Sequence, residues 1–328
     1  MPIHRTLELH SITDRAFAEI DEVVMSCAYA TQNHFGRLFD ERIYENDLAQ
    51  RLRAHGFEVQ TQVPIKVSHG SFEKTYYLDL VVNQMLYELK VISALLREHD
   101  AQAINYALLQ NIRLVKLMNF GESEVRGKLL RNALTEPERH QPTMRKTGWK
   151  PLGPRCTDLI EHLKELIRDW GTHLDYRLYN EALIYHFGGE SNCLQRLELT
   201  SGYVVLGTHP VPHHDPDHGF IVTGFTRPQP GYRQHLEVLL QHVPSLKGIQ
   251  WINLNHSRLE VTTIEPENRQ ENQIQSFVSD YSSVDSYLCT LADTSSALLA
   301  LCSLFLPSVV RPKNCRRSGF LPFMCRWA

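Results

Sequence analysis

The stretch Leu78 to Lys90, LDLVVNQMLYELK, sets two carboxylates and a lysine inside apolar, strand-like sequence. Two β-favouring segments, 76–82 and 85–92, flank Asn83-Gln84, and asparagine tolerates the positive φ that a two-residue hairpin turn demands. With that turn, Val82 faces Met85, Val81 faces Leu86, Leu80 faces Tyr87 and Asp79 faces Glu88. Directly opposed residues carry Cβ atoms roughly 4.5–5.5 Å apart, where two like charges repel unless something sits between them. A divalent cation is the group that fits. Period-two alternation puts Lys90 on the face of Glu88 and turns Tyr87, Leu89 and Val91 to the other side.

The elements that must hold these residues are legible around them. Helical spacing over 12–30 is followed by a second helix over 38–55 that Gly56 ends. On the second helix Glu41, Tyr44, Leu48 and Leu52 fall at three- and four-residue steps, which points Glu41 inward beside apolar neighbours. Strands are expected at 58–67, 74–82 and 85–92, then a helix over 96–110 and a strand over 113–119 closed by Gly121. Gln102 and Tyr106 share one face of that later helix. Tyr44 reads as a core aromatic with its hydroxyl satisfied, and Asn105 as a residue free to cap a local contact.

An aspartate on one strand, E-x-K on the next and a glutamate from a preceding helix resemble the PD-(D/E)XK nuclease superfamily, with Leu78-Asp79 in place of proline-aspartate. Gln102 and Tyr106 match the Q-x-x-x-Y accessory motif of its RecB-type branch. Residues 12–135 look most like the small bacterial GxxExxY proteins. The matching pieces are Gly36 with Glu41 and Tyr44, GFEVQTQVPI at 56–65, LDLVV, YELK, AQAINY at 101–106 and MNFG at 118–121. The family's usual glycine at the start of G-x-x-E is Leu38 here.

The resemblance implies a restriction-endonuclease-like α/β core, αβββαβ with a mixed sheet, and a metal-dependent nuclease whose substrate is nucleic acid, DNA first. Asp79, Glu88 and the backbone carbonyl of Leu89 would hold Mg²⁺, with Mn²⁺ able to substitute, and Glu41 would add a further acidic ligand, direct or through water. Lys90 would orient or help deprotonate the attacking water and offset charge at the phosphate. Gln102 and Tyr106 would contact water or the backbone near the cut. The alternative is a nuclease fold that no longer cuts and serves as a nucleic-acid-binding or assembly module.

Length and composition agree with a soluble two-domain chain: 328 residues, 42% hydrophobic and 22% charged, net charge −3. That charge gives no global sign of a polyanionic partner. A local basic excess runs from Arg113 to Lys150, either a phosphate-tracking surface or a solvated loop. Seven scattered cysteines without a C-x-x-C pair read as reduced thiols. The N-terminus lacks the pattern of a secretory signal, so the expected location is cytoplasmic, with no membrane partner and a homodimer allowed.

The expected organisation is a nuclease-like domain over 1–135, a linker over 136–157, a second α/β domain over 158–265 and a weakly patterned tail over 266–328. IYENDLAQRL at 43–52 and LYNEALIYHF at 178–187 echo each other, as do LLQNIRLVKLMNF and LLQHVPSLKGIQWINL. The second domain therefore reads as a degenerate copy of the first, or as an unrelated α/β unit. It has no E-x-K after an aspartate-bearing strand, so as a copy it is expected to be catalytically silent. The histidine-rich THPVPHHDPDH at 208–218 offers zinc-ligand types, but its prolines and spacing favour an exposed loop.

Overall fold

In the computed structural model, which describes residues 2–201 and 203–266, the chain runs β1 (Ile3–Arg5), α1 (Asp14–Phe35), α2 (Glu41–Ala54), β2 (Val59–His69), β3 (Phe72–Val82), β4 (Met85–Lys90), α3 (Arg97–Gln110), β5 (Leu114–Asn119) and β6 (Arg126–Arg131). It continues through α4 (Glu136–Arg139), β7 (Thr143–Lys146), α5 (Cys156–Trp170), α6 (Tyr176–His186), α7 (Glu190–Cys193), β8 (Leu194–Ser201), β9 (Val204–Asp215), β10 (His218–Thr223), α8 (Tyr232–His242), β11 (Gly248–Asn255) and β12 (Arg258–Ile264). The tail expected over 266–328 lies outside the described residues beyond Pro266.

The first sheet has the order β1-β2-β3-β4-β5-β6. All its pairs are antiparallel except β4 with β5, which the α3 crossover makes parallel. Strands β4, MLYELK, and β5, LVKLMN, are the most deeply covered, because both faces of each meet apolar neighbours. Leu80, Val82, Tyr87 and Leu89 pack with Phe17, Val24, Tyr44 and Leu48 from α1 and α2. Val81, Leu86 and Val115 pack with Ala103 and Ala107 of α3, in a cluster that continues into Leu163, Trp170 and Leu178 of α5 and α6. Period two on the strands and 3.6 on the helices generate this layering directly.

The second sheet has the order β7-β12-β11-β10-β9-β8, with β10 parallel to β11 across the α8 crossover. Strands β8 to β12 repeat the pairing senses of β2 to β6: antiparallel, antiparallel, parallel, antiparallel. Helices α5 and α6 precede them as α1 and α2 precede the first set. The likeness reaches single hydrogen bonds. The Tyr44 hydroxyl donates to the carbonyl of Gly36, and the Tyr179 hydroxyl to that of Gly171. Both glycines end a helix at positive φ, 70° and 75°, a conformation that only glycine adopts without cost. The Asn119 side chain grips both backbone groups of Ile92 beyond β4, and Asn253 grips both of Phe225 beyond β10. The second lobe is thus a topological repeat of the first.

Two expectations are corrected. The segment 136–157 holds α4 and β7, and β7 is the edge strand of the second sheet, paired with β12. Arg139, within α4, is 2% exposed and its guanidinium donates to carbonyls of Leu108, Trp170 and Thr172, at the C-terminal ends of α3 and α5. A buried cation thus satisfies helix-end carbonyls that would otherwise be orphaned. The histidine-rich segment is also no exposed loop. His209, His213 and His214 lie on β9, and the last two are buried, their rings bonded to the carbonyls of Val211 and Leu152. Burial pushes both imidazoles down in pKa, towards the neutral form that a core accepts. No group of three or more histidine, cysteine or acidic side chains stands at metal-holding geometry among the described residues, and no described helix is long and apolar enough to cross a membrane.

Candidate active site

The β3–β4 hairpin turns at Asn83, φ 54°, with Val82, Val81 and Leu80 opposite Met85, Leu86 and Tyr87, in the expected register. Beyond that the ladder opens: the Leu89 N–H donates to Asp79 Oδ2 at 2.9 Å. The break extends across β2, where Thr61 pairs with Leu80 and Val63 with Leu78, leaving Gln62 and Asp79 outside the ladder. Gln62 takes φ 53°, a left-handed conformation uncommon outside glycine and asparagine and a mark of local constraint.

Around this opening the acidic groups gather. Glu88 is wholly buried, and burial, with the Asp79 charge beside it, pushes its carboxyl up to about 9. Lys90 Nζ lies 2.6 Å from Glu88 Oε1 and 2.8 Å from the Leu89 carbonyl. The other Glu88 oxygen, Oε2, is buried with no hydrogen-bond partner. Burial lowers the Lys90 pKa, but Glu88, Glu41 and Asp79 outweigh it and hold the amine above its usual range, hence cationic. Glu41 Oε2 stands 3.9 Å from the same ammonium, and burial pushes Glu41 up to about 7.

Glu41 is less enclosed than its helical spacing predicts, because it is the first residue of α2, and the inward position one turn later belongs to Glu45, 1% exposed. Gln62 Nε2 donates to Glu45 Oε2 at 2.6 Å and lies 3.3 Å from Asp79 Oδ1, joining the two acids. Burial raises the Glu45 carboxyl as well. Sequence reasoning missed both Glu45 and Gln62. The Tyr-Glu pair at 44–45 could have exposed the first; nothing local signals the second, whose role depends on a strand break.

On α3, Gln102 Nε2 donates to the Tyr106 hydroxyl at 3.1 Å. Burial, then the nearby Glu88 charge, pushes that phenol up to about 12. Tyr44 is a core residue with its hydroxyl satisfied, as read. Asn105 makes a distant contact rather than a local one, accepting from the N–H of Asp175.

Four acids thus gather about the Lys90 ammonium, with the Arg42 guanidinium on the far side of Glu45, and burial holds Glu41, Glu45 and Glu88 towards their protonated forms. The donors are hard oxygens, the type a divalent cation takes, but as they lie these side chains do not stand at metal-holding geometry, and the Lys90 ammonium rests on Glu88 Oε1 and the Leu89 carbonyl, two oxygens of the expected ligand set.

The second lobe lacks this set. Aligning Tyr44 with Tyr179 places Asp175-Tyr176-Arg177-Leu178-Tyr179-Asn180 on Asp40-Glu41-Arg42-Ile43-Tyr44-Glu45. Lys90 pairs with Asn119 across β4 and β5, and Thr223 with Asn253 across β10 and β11. Glu41, Glu45, Glu88 and Lys90 thus correspond to Tyr176, Asn180, Ile221 and Thr223, none of them charged.

The basic run from Arg113 to Lys150 is largely neutralised. Arg113 and Arg131 pair with Asp14, Lys116 with Asp21, Arg126 with Glu122, Lys128 with Asp100 and Lys150 with Glu265.

No curated protein and no solved structure matches the chain. Over residues 18–131, which hold every acidic, lysine and Q-x-x-x-Y side chain of this site, the chain matches the family model of the PD-(D/E)XK nuclease superfamily, whose members are generally divalent-metal nucleases.

Proposed function

We propose that the first lobe hydrolyses phosphodiester bonds in nucleic acid, with DNA as the substrate and Mg²⁺, or Mn²⁺ in its place, as the cofactor. The observation that carries this reading is the buried Glu88, with one oxygen unpartnered and the other on Lys90, beside Asp79. A chain free of catalysis gains nothing from burying such acids together, since each raised carboxyl opposes folding at neutral pH.

Asp79, Glu88 and the Leu89 carbonyl would hold the cation, with Glu41 reaching it directly or through water. The cation would draw charge from the scissile phosphate and acidify a water. Lys90, kept protonated by its acidic neighbours, would donate to a phosphate oxygen and orient the attacking water. Gln62 would fix the Glu45 and Asp79 carboxylates, and the Gln102–Tyr106 pair would contact the substrate backbone beside the cut. That pair tilts the reading towards an end-processing member of the superfamily by analogy alone.

The test is cleavage of end-labelled single- and double-stranded DNA by full-length protein with Mg²⁺ or Mn²⁺, beside Asp79→Ala and Lys90→Ala. Metal-dependent cutting lost in both variants supports the reading. Folded wild type that never cuts, or cutting that survives both substitutions, overturns it in favour of a silent binding or assembly module.

A further inference from the structure

A cleft of about 1400 Å³ lies between α3 and the second lobe. Gln102 and Tyr106 line it, so it is continuous with the candidate active site. Across from them it is closed by Tyr176, Gly224 and the histidines His173 and His256. Tyr176 stands where the first lobe has Glu41, and Gly224 follows Thr223, which stands where the first lobe has Lys90. Tyr176, the counterpart of Glu41, thus lines the cleft together with the Gln102–Tyr106 pair.

The walls of the cleft combine aromatic and imidazole rings with charged residues at the rim, the acids Glu98, Asp100 and Asp175 among them. Tyr76 and Tyr106 meet edge to face with ring centroids 6.1 Å apart. His173 and His256 stack on each other at 5.1 Å and 28°. Both histidines take positive φ, 71° and 51°, a costly conformation for a side-chain-bearing residue that tends to persist where it serves a function. Burial, with His256 and Arg139 adding, lowers His173 to about 4, so that ring is neutral at ordinary pH.

The rim cations are already engaged. Lys74 holds Glu181 at 2.6 Å, Arg131 holds Asp14 at 3.1 Å, and Arg177 lies over the Tyr176 ring, 3.8 Å from Asp175. A duplex is gripped through its phosphates by available lysine and arginine. Single strands add the stacking of bases on aromatic faces, about 1–3 kcal/mol per base, to the cations that track their backbone. The cleft supplies the rings, and its cations Lys74, Arg131 and Arg177 sit in exposed, weak pairs that a strand's phosphates can compete for. Its volume exceeds the ~300–1,000 Å³ of a pocket built for one small molecule, which leaves space for a short run of nucleotides.

We propose that this cleft seats the unpaired bases of a single-stranded segment running from the scissile phosphate, the second lobe having exchanged its acidic site for a stacking pocket. The proposal rests on the nuclease reading for the identity of the polymer, but its test does not require cutting.

The experiment uses full-length Asp79→Asn protein and binding of a fluorescein-labelled 12-nucleotide DNA strand carrying one 2-aminopurine, beside a blunt duplex of the same length. His256→Asn removes a ring while keeping a side chain that accepts positive φ. Tyr176→Leu removes a second ring and preserves bulk, and Tyr176→Phe restores the ring. The expected result is tighter binding of the strand than of the duplex, with quenched 2-aminopurine. His256→Asn and Tyr176→Leu should each weaken strand binding about five- to a hundredfold, leave the duplex unchanged, and be rescued by Tyr176→Phe at that position. Equal binding of strand and duplex, or His256→Asn and Tyr176→Leu proteins that bind the strand as Asp79→Asn does, would overturn the proposal. Cleavage by wild type decides the nuclease reading separately: a protein that binds strands in this way yet never cuts retains the cleft and loses the catalysis.

Discussion

Lys90 Nζ lies 2.6 Å from Glu88 Oε1, while Glu88 Oε2 is buried without a partner. One ammonium thus serves half of a carboxylate that shares its surroundings with Asp79, Glu41 and Glu45. This charge balance, four acids set against Lys90 and Arg42, is what the proposed divalent cation would complete.

That balance makes stability depend on pH in a definite direction. Burial raises the folded carboxyl of Glu88 to about 9 and of Glu41 to about 7, against 4.5 for an ordinary glutamate. Between those values the folded state binds more protons than the unfolded, so stability falls as pH rises. The contribution is fully present below about 4.5 and gone once pH has passed the folded values. A cation that prefers the ionised acids should reverse the loss. Differential scanning calorimetry of metal-free protein should therefore show a Mg²⁺-induced rise in melting temperature larger at pH 8.5 than at pH 5.5, and Glu88→Gln should flatten the dependence. Ligand at 100 times its Kd corresponds to about 2.7 kcal/mol. A shift that shrinks with rising pH contradicts the site.

Gln62 bridges Glu45 and Asp79 from a strained backbone position. Gln62→Asn tolerates the same left-handed conformation but falls one methylene short. Partners of metal ligands typically matter about 10–100-fold in affinity or activity. Metal-dependent cleavage should drop by that factor while the melting temperature stays put. An unaltered rate, measured at several Mg²⁺ concentrations, would remove Gln62 from the machinery.

Arg139 lies buried in a segment that reads as a linker, yet it ties carbonyls at the ends of α3 and α5. Arg139→Met keeps the stem and deletes the donors. Each orphaned buried carbonyl costs about 1–3 kcal/mol, so the urea midpoint should fall by an amount equivalent to about 3 kcal/mol or more. A variant as stable as wild type would mean that water replaces all three bonds.

The paired tyrosines provide a test of the repeat. Tyr44→Phe and Tyr179→Phe each remove one hydroxyl bond to a helix-ending glycine, in different lobes with no shared partner. Each should cost about 1 kcal/mol, and the double variant should show the sum within about 0.5 kcal/mol. Strong non-additivity in urea unfolding would show that the two helix junctions are energetically coupled.

Legibility in the sequence followed the range of the physics. The hairpin register was readable because Asn83-Gln84 and alternation are local, and the strand and helix order from 58 to 119 was readable for the same reason. Glu41 faces Lys90 but is less enclosed than its spacing suggests, because spacing places a residue around a helix axis and does not say how deep the helix end lies. Strand β7 escaped notice because four residues, TMRK, acquire a strand only when β12, far away in the chain, offers a free edge. The buried His213 and His214 looked like loop residues because nothing in their own neighbourhood supplies the Leu152 carbonyl that one of them needs.

The sequence alone determined the E-x-K strand, the aspartate that precedes it, the Gln102–Tyr106 pair and the faint echo between the two halves. These are matters of residue type, turn chemistry and period. Tertiary structure alone decided that Glu45 and Gln62 join the acids, that the basic run is mostly paired, and that the echo is a repeat down to matching tyrosine and asparagine bonds. It also decided that Tyr176, the counterpart of Glu41, lines one cleft with Gln102 and Tyr106. Each of these depends on groups brought together from distant parts of the chain, where burial and Coulomb interactions act through space and sequence separation carries no information about them.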